Sequence, residues 1–152
     1  MAFAKPSLKG RALRLLSQRE HSRAELERKL AVHEDEPGTL ALALDELQAT
    51  GFISETRVLD SVIHRRAAKF GENRIRQELQ DKGLDPQLVG QALSELRGSE
   101  YGRAREVWRK KFGEAPDSQP ARARQARFLM SRGFSAEVVR RVLAAAGAED
   151  AD

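Results

Sequence analysis

The sequence contains no cysteine, which excludes disulfide bonds, a thiolate nucleophile and a cysteine-ligated zinc site. It has no run of about 18 apolar residues, and residues 1–10 lack an apolar segment of signal-peptide length. Alternation of apolar and polar residues is nearly absent, so strands are not expected. These absences predict an all-α protein that stays in the cytoplasm and has no membrane contact.

The sequence also lacks the patterns that usually carry catalysis or cofactor binding. Neither a Walker sequence nor GxGxxG occurs, and His21, His33 and His64 have no partners at metal-ligand spacing. Carboxylates alternate with basic residues, as in Glu25 and Lys29 at i,i+4, which is typical of exposed helices. We therefore expect no enzymatic activity, no cofactor and no metal site.

An apolar pattern occurs three times along the chain, at spacings of 49 and then 50 residues. Leu30, Leu79 and Leu129 head the three copies. The columns that follow are Leu40, Val89 and Val139; Ala43, Ala92 and Val142; Leu44, Leu93 and Leu143; and Leu47, Leu96 and Ala146. Within each copy these four columns lie at i, i+3, i+4 and i+7, which is one face of an α-helix. Each copy is therefore predicted to be helical.

Helix-capping residues repeat at the same offsets as the apolar pattern. Glu36-Pro37 and Asp85-Pro86 occupy one column, which predicts an acidic N-cap followed by a proline in the first helical turn. Ser135 holds the corresponding position of the third copy. Gly83 and Gly133, each followed by an apolar residue, predict left-handed C-caps. Because the caps and the apolar pattern agree, we interpret the sequence as a true triplication.

The triplication predicts three units, residues 1–53, 54–99 and 100–152, the last with a short C-terminal tail. Nine helices are expected, at 12–17, 23–30, 39–50, 54–70, 73–82, 86–96, 101–112, 121–132 and 136–146. A repeat that cannot bury its apolar stripe alone must stack on its neighbours. We therefore predict three tandem three-helix repeats in an elongated, curved array, present as a monomer, with a long surface suited to binding.

Two features distinguish the third copy. Trp108 and Phe112 lie on an apolar stripe, which predicts core packing rather than a platform for nucleic-acid bases. Gln125 stands where the other copies have Leu26 and Ile75, so the middle helix of this copy is expected to pack differently.

Positive charge is concentrated in the third unit. Residues 100–152 contain 11 Lys and Arg against 8 Asp and Glu, whereas residues 1–53 contain 8 of each. A basic module of this kind predicts an anionic partner, either a polyanion or an acidic protein surface. The candidate binding residues are Arg103, Arg105, Arg109, Lys110, Lys111, Arg122, Arg124, Arg127, Arg132, Arg140 and Arg141.

Three segments resemble the RecX family of bacterial recombination regulators. They are LRLLSQREHSRAELERKL at 13–30, GENRIRQELQDKGL at 71–84 and LMSRGFSAEVVRRVL at 129–143, and the likeness extends across the chain. The resemblance implies three tandem three-helix repeats. It also implies binding to the RecA recombinase filament on DNA, with inhibition of its ATPase, strand-exchange and coprotease activities. It supplies no catalytic residues, and it leaves open whether the protein lies in the filament groove or caps the growing end.

A helix-turn-helix-like DNA-binding protein that acts without a recombinase is the second interpretation. Residues 127–141 form two predicted helices joined by a glycine-containing turn, as such motifs do. Against it, Arg140 and Arg141 stand nearly alone as base-reading side chains on the second helix. Direct contact of a filament regulator with single- or double-stranded DNA also stays open, and an enzyme is the third and weakest interpretation.

Overall fold

The computed structural model describes residues 5–151, with side chains through Glu149, and this part of the chain is helical without strands. The helices are α1 Leu8–Gln18, α2 Arg23–Leu30, α3 Thr39–Ala49, α4 Glu55–Arg66, α5 Glu72–Asp81, α6 Pro86–Lys111, α7 Gln119–Ser131 and α8 Ala136–Ala151. A short 3₁₀ turn, Ala31–His33, follows α2. The all-α class and the tandem three-helix repeats are confirmed. None of the described helices is long and apolar enough to cross a membrane.

The last helix of the second unit and the first helix of the third unit are one continuous helix. The prediction of separate helices at 86–96 and 101–112 is therefore wrong, and the described chain has eight α-helices instead of nine. Gly98 and Ser99 resemble a helix stop, but Gly98 is not among the glycines with positive φ. Arg103 binds the end of α4, and Glu100 accepts a hydrogen bond from the Glu72 N–H at the start of α5. Arg97, before the predicted boundary between residues 99 and 100, also contacts Glu72, so one face of the uninterrupted helix continues across that boundary.

Glycine C-caps end the middle helix of the second and third units, as predicted. Gly83 and Gly133 have φ of +70° and +91°, which places them in the left-handed region. The next apolar residue then folds back onto the helix, since the N–H of Phe134 donates to the Leu129 carbonyl at 3.3 Å. Ser135 caps the following helix, because its Oγ accepts from the Val138 N–H at 3.2 Å.

The start of α3 differs from the prediction, whereas the start of α6 agrees with it. Asp85 caps α6 with Pro86 in its first turn. Glu36-Pro37 lies before α3, whose N-cap is Gly38 at φ +90°. The Thr39 N–H donates to the Glu36 carbonyl at 3.2 Å. This hydrogen bond encloses Pro37 and the left-handed Gly38, and that order of residues is the pattern of a type II turn. The glycine after the proline, which copy two lacks, therefore moves the acidic residue out of the capping position.

Each unit buries its own apolar cluster, and the repeated leucines lie at its centre. Leu30, Leu79 and Leu129 are 3%, 0% and 0% exposed, and each lies in the last turn of the middle helix of its unit. Trp108 is buried in the third cluster, as expected. Gln125 is buried beside it and accepts a hydrogen bond from the Trp108 indole N–H at 2.8 Å. A buried amide thus replaces the leucine or isoleucine of the other units because the indole gives it a partner.

The units join at equivalent positions at both junctions, through a side-chain hydroxyl at the first and a backbone N–H at the second. The turn between the second and third helices of one unit packs against the start of the second helix of the preceding unit. At the first junction the Ser22 hydroxyl donates to the Lys82 carbonyl at 2.6 Å. At the second junction the Gly71 N–H donates to the Arg132 carbonyl at 2.8 Å. Ser22 and Gly71 are 49 residues apart, so the junction repeats with the sequence.

The second junction requires glycine on both sides. A Cβ on Gly71 would lie 2.6 Å from the Gly133 carbonyl carbon, and a Cβ on Gly133 would lie 2.4 Å from the Arg74 Cβ. The partner atom at Gly71 is backbone, which cannot rotate away. The Asn73 N–H donates to the Gly133 carbonyl at 3.1 Å, so separating the backbones would also break hydrogen bonds.

Glu25 is the central charge of the first junction. Its carboxylate, 9% exposed, accepts from Arg19 Nη2 at 2.7 Å, from the Ser22 N–H at 3.1 Å and from Lys82 Nζ at 3.1 Å. Burial alone would raise the pKa of this carboxyl. The hydrogen bonds from Arg19, Ser22 and Lys82 outweigh burial and lower its pKa to about 2.

We predict that Gly71→Ala destabilises the protein, because the added methyl group overlaps the backbone of the next unit. The expected loss is about 1–3 kcal/mol in the free energy of unfolding, measured in urea. Gly98→Ala is the matched control. A Cβ there meets nothing within 4 Å, and alanine favours a helix interior over glycine by about 0.5–1 kcal/mol. Equal effects of the two substitutions would contradict the tight junction.

We predict that stability falls with acidification between about pH 4.5 and pH 2 through Glu25. The pKa of this carboxyl is depressed from 4.5 to about 2 in the folded protein. In this range the unfolded chain therefore takes up a proton that the folded protein does not. The contribution, at most roughly 3 kcal/mol, is complete above the unfolded pKa. Urea unfolding at several pH values should show a shallower acid slope for Glu25→Gln than for the parent. Glu27→Gln, in an exposed pair with Arg23, should keep the parent's slope.

Candidate partner-binding surface

The eleven predicted binding residues lie on three helices and one turn of the third unit. Helix α6 carries Arg103, Arg105, Arg109, Lys110 and Lys111; α7 carries Arg122, Arg124 and Arg127; Arg132 ends α7; and α8 carries Arg140 and Arg141. The structure separates them into one residue with a structural contact, a set of paired side chains, a set at or near a groove and a set away from that groove.

Arg103 ties the second and third units together. Its Nη1 donates to the carbonyl oxygens of Ala67 and Phe70, both at 2.7 Å. These carbonyls follow the end of α4, where helix geometry leaves oxygens without partners. Burial lowers the pKa of the guanidinium, against the opposing effect of Glu100 and Glu72. Because the side chain faces inward to these carbonyls, it is not available to a partner.

Acidic side chains form ion pairs with some of the exposed cations on α6. Arg105 pairs with Glu149 at 3.1 Å, and Arg109 Nε lies 3.0 Å from Glu106. Lys110 is 4.0 Å from the same carboxylate and 72% exposed. Hydrogen bonding from Arg109 lowers the pKa of Glu106. Such exposed pairs hold weakly in water, so an anionic partner could displace them.

Aromatic rings hold several of the other cations in place. The Arg132 guanidinium lies 5.3 Å from the centre of the Phe70 ring and 5.1 Å from that of Phe128. Lys111 Nζ lies 5.2 Å from the Phe128 ring. Arg141 lies 4.5 Å from the ring of Tyr101 on α6. These distances are within cation–π range, so the rings orient the charges without neutralising them.

A groove with a volume of about 380 Å³ opens beside these rings, between the second and third units. Its cationic side chains are Lys69, Lys110, Lys111 and Arg132, and its floor is formed by Ala68, Val107 and Phe128. None of these lining residues is acidic. We call this the basic groove. Sequence reasoning missed Lys69, because it belongs to the second unit and reaches the groove only through the junction.

The remaining cations of the third unit do not line the groove. Arg124 is exposed one helical turn before Phe128, so it extends the same face of α7. Arg127 and Arg140 are exposed, and Arg122 is half-buried. The structure does not bring Arg140 and Arg141 to the groove lining. In the part of the chain that the structure describes, no group of His, Asp and Glu could hold a metal ion.

The fold and this surface define a tandem repeat protein of three-helix units with a cationic groove at a unit junction. Family models for the first, second and third three-helix domains of RecX match residues 9–47, 54–93 and 99–143. The chain belongs to the RecX family, whose members are regulatory proteins.

Relatives and solved structures agree with this assignment. Regulatory protein RecX of Leptothrix cholodnii is 57% identical over 94% of this chain and 92% of its own length. Regulatory protein RecX of Ralstonia nicotianae is 45% identical over 93% of this chain and 89% of its own length. The crystal structure of RecX from Lactobacillus salivarius shares the fold with a TM-score of 0.72 at 20% identity, over 92% of this chain and 94% of that chain.

We predict that Arg103→Gln lowers stability, because the shorter amide cannot reach both carbonyls at the end of α4. Hydrogen bonds from charged groups contribute about 1.5–3 kcal/mol, so the expected loss is about 2 kcal/mol in urea unfolding. Arg105→Gln, which removes only an exposed pair, should cost less than about 0.5 kcal/mol. A larger loss for Arg105→Gln than for Arg103→Gln would contradict the structural assignment.

Proposed function

We propose that the protein regulates a RecA recombinase by binding its filament on DNA and inhibiting its ATPase, strand-exchange and coprotease activities. Two observations support the proposal: near full-length similarity to regulatory RecX proteins and the basic groove. The basic groove is the main basis for locating the proposed binding site, because four cations line it and no lining residue is acidic.

The filament is a suitable partner on electrostatic grounds. It presents DNA phosphates, and a cationic groove gains affinity by replacing the counterions that surround them. Lys110 and Lys111 contribute point charges, while Arg132 is fixed between two rings. Because these contacts go to backbone charge rather than to base edges, binding is independent of DNA sequence.

The helix-turn-helix interpretation has less support. Recognition helices of that class read bases with residues of their N-terminal turn. Here the first turn of α8 contains Ala136, Glu137 and Val138, and the preceding Gly133 is packed against α5. Acidic and apolar residues beside a unit junction are poorly suited to the edges of bases.

We predict that the Lys110→Glu/Lys111→Glu variant loses inhibition of the recombinase. Reversing two charges in the groove should weaken filament binding at least about tenfold, because each exposed contact contributes about 1 kcal/mol before repulsion is added. The measurement is ATP hydrolysis by RecA on single-stranded DNA, with co-sedimentation of the regulator. Binding by the parent should also weaken between 50 and 200 mM salt.

Lys9→Glu/Arg65→Glu is the matched control. Both side chains are exposed and outside the groove, and the net charge change is the same. This variant should inhibit like the parent. If both double variants fail equally, general charge and not the groove carries binding. A parent that binds random duplex DNA at physiological salt but leaves RecA activity unchanged would favour the DNA-binding alternative.

A further inference from the structure

A second cationic pocket lies at the opposite end of the chain, between α1, α2 and the 3₁₀ turn. Its volume is about 500 Å³. Arg11, Arg14, Lys29 and His33 contribute its basic side chains. Pro6 and Leu15 form an apolar wall, and Ser7, Gly10 and the nearly buried Leu30 complete the lining. We call this the α1–α2 pocket; its lining residues include no carboxylate.

Two cations of the pocket are unpaired although the first unit is rich in acids. The other arginines nearby are matched, since Arg19 pairs with Glu25 and Arg23 pairs with Asp45. Among the described residues, neither guanidinium of Arg11 and Arg14 has a hydrogen bond or an ion pair. They lie three residues apart on α1, which places them on one helix face. Both side chains line the pocket, so two cations without an ion-pair partner among the described residues face a ligand there.

Lys29 is held at the pocket by a buried histidine. His21 is 1% exposed, and its Nδ1 lies 3.0 Å from the Arg19 carbonyl oxygen. A carbonyl only accepts, so Nδ1 carries the proton and Nε2 is the acceptor of the neutral ring. Lys29 Nζ lies 3.2 Å from Nε2 and donates to it. Burial lowers the pKa of His21, which keeps the ring neutral. The ammonium is thereby positioned while two of its N–H groups stay available to a ligand.

We propose that the α1–α2 pocket binds a nucleoside polyphosphate, with its phosphates on Arg11, Arg14 and Lys29 and its base against Pro6 and Leu15. The volume is within the range of about 300–1,000 Å³ typical of small-molecule sites. Guanidinium groups bind phosphate oxygens through paired hydrogen bonds. The apolar wall gives the pocket a surface that inorganic phosphate would not use.

A mononucleotide fits better than a polynucleotide. The adjoining depression shares Pro6, Ser7 and His33 with the pocket, and Lys5, Asp35 and Glu36 line it as well. A phosphate backbone continuing in that direction would meet two carboxylates against one ammonium group. The site is therefore suited to a ligand whose charge ends within the pocket.

The test is isothermal titration calorimetry of the full chain with ATP and with inorganic pyrophosphate, in 150 mM salt and without recombinase. Saturable binding at one site is expected for ATP, with weaker binding of pyrophosphate because it lacks the base. Arg11→Gln/Arg14→Gln and Lys29→Gln should each weaken ATP binding at least about tenfold, since each removes charge-assisted contacts. Lys9→Gln/Arg65→Gln, which removes two exposed charges outside the pocket, should change it less than about twofold.

Three outcomes would overturn the proposal: no saturable ATP binding by the parent, an equal loss in the control variant, or binding of a 12-nucleotide strand through Arg11 and Arg14 without binding of ATP. Circular dichroism establishes folding, and the exposed Arg14→Gln variant serves alone if the double variant unfolds. The proposal is independent of filament binding. Lys110→Glu/Lys111→Glu should keep ATP affinity, so failure here and failure of recombinase inhibition are distinguishable.

Discussion

The arrangement of the three units depends on one close contact, in which the turn of one unit supplies carbonyl oxygens to the start of a helix in the unit before it. A helix start has N–H groups without intrahelical partners. The Arg132 and Gly133 carbonyls accept from two such N–H groups, those of Gly71 and Asn73. Each unit already buries its own apolar cluster, so apolar area alone does not fix how the units sit together. The directional hydrogen bonds at the junction fix that arrangement.

The basic groove is a product of this contact. Lys69 follows the end of α4 in the second unit, while Arg132 belongs to the turn that docks on α5. Phe70 lies beneath the guanidinium of Arg132, and Arg103 holds the Phe70 carbonyl from the other side. The same few residues therefore join the units and orient the charges. A substitution that loosens the junction is expected to reduce binding even where it removes no cation.

The sequence predicts the repeat and its caps well because these depend on local spacing. The leucines at 49- and 50-residue offsets are buried, and the glycine caps at 83 and 133 are left-handed. It fails at α6, where Gly98 lies inside a continuous helix and Arg97 and Glu100, on either side of the predicted boundary, both contact Glu72 in a distant chain segment. The sequence also does not show which cations are available to a partner. Composition cannot show that Arg103 contacts carbonyl oxygens or that Lys69 lines the groove. The sequence does not predict the α1–α2 pocket, because the charge of the first unit is balanced overall. Which arginines form ion pairs with carboxylates depends on the three-dimensional structure.

Because α6 is continuous, the second and third units are connected differently from the first and second units. The 26 residues of α6 span roughly 39 Å at 1.5 Å per residue, and they belong to two units at once. Changing the angle between the second and third units would therefore require bending or breaking this helix. Between the first and second units the chain passes only through residues 50–54, with a left-handed Gly51 among them. A change of angle at the first junction would break the side-chain contacts of Ser22 and Glu25 with Lys82, but it would leave every helix intact.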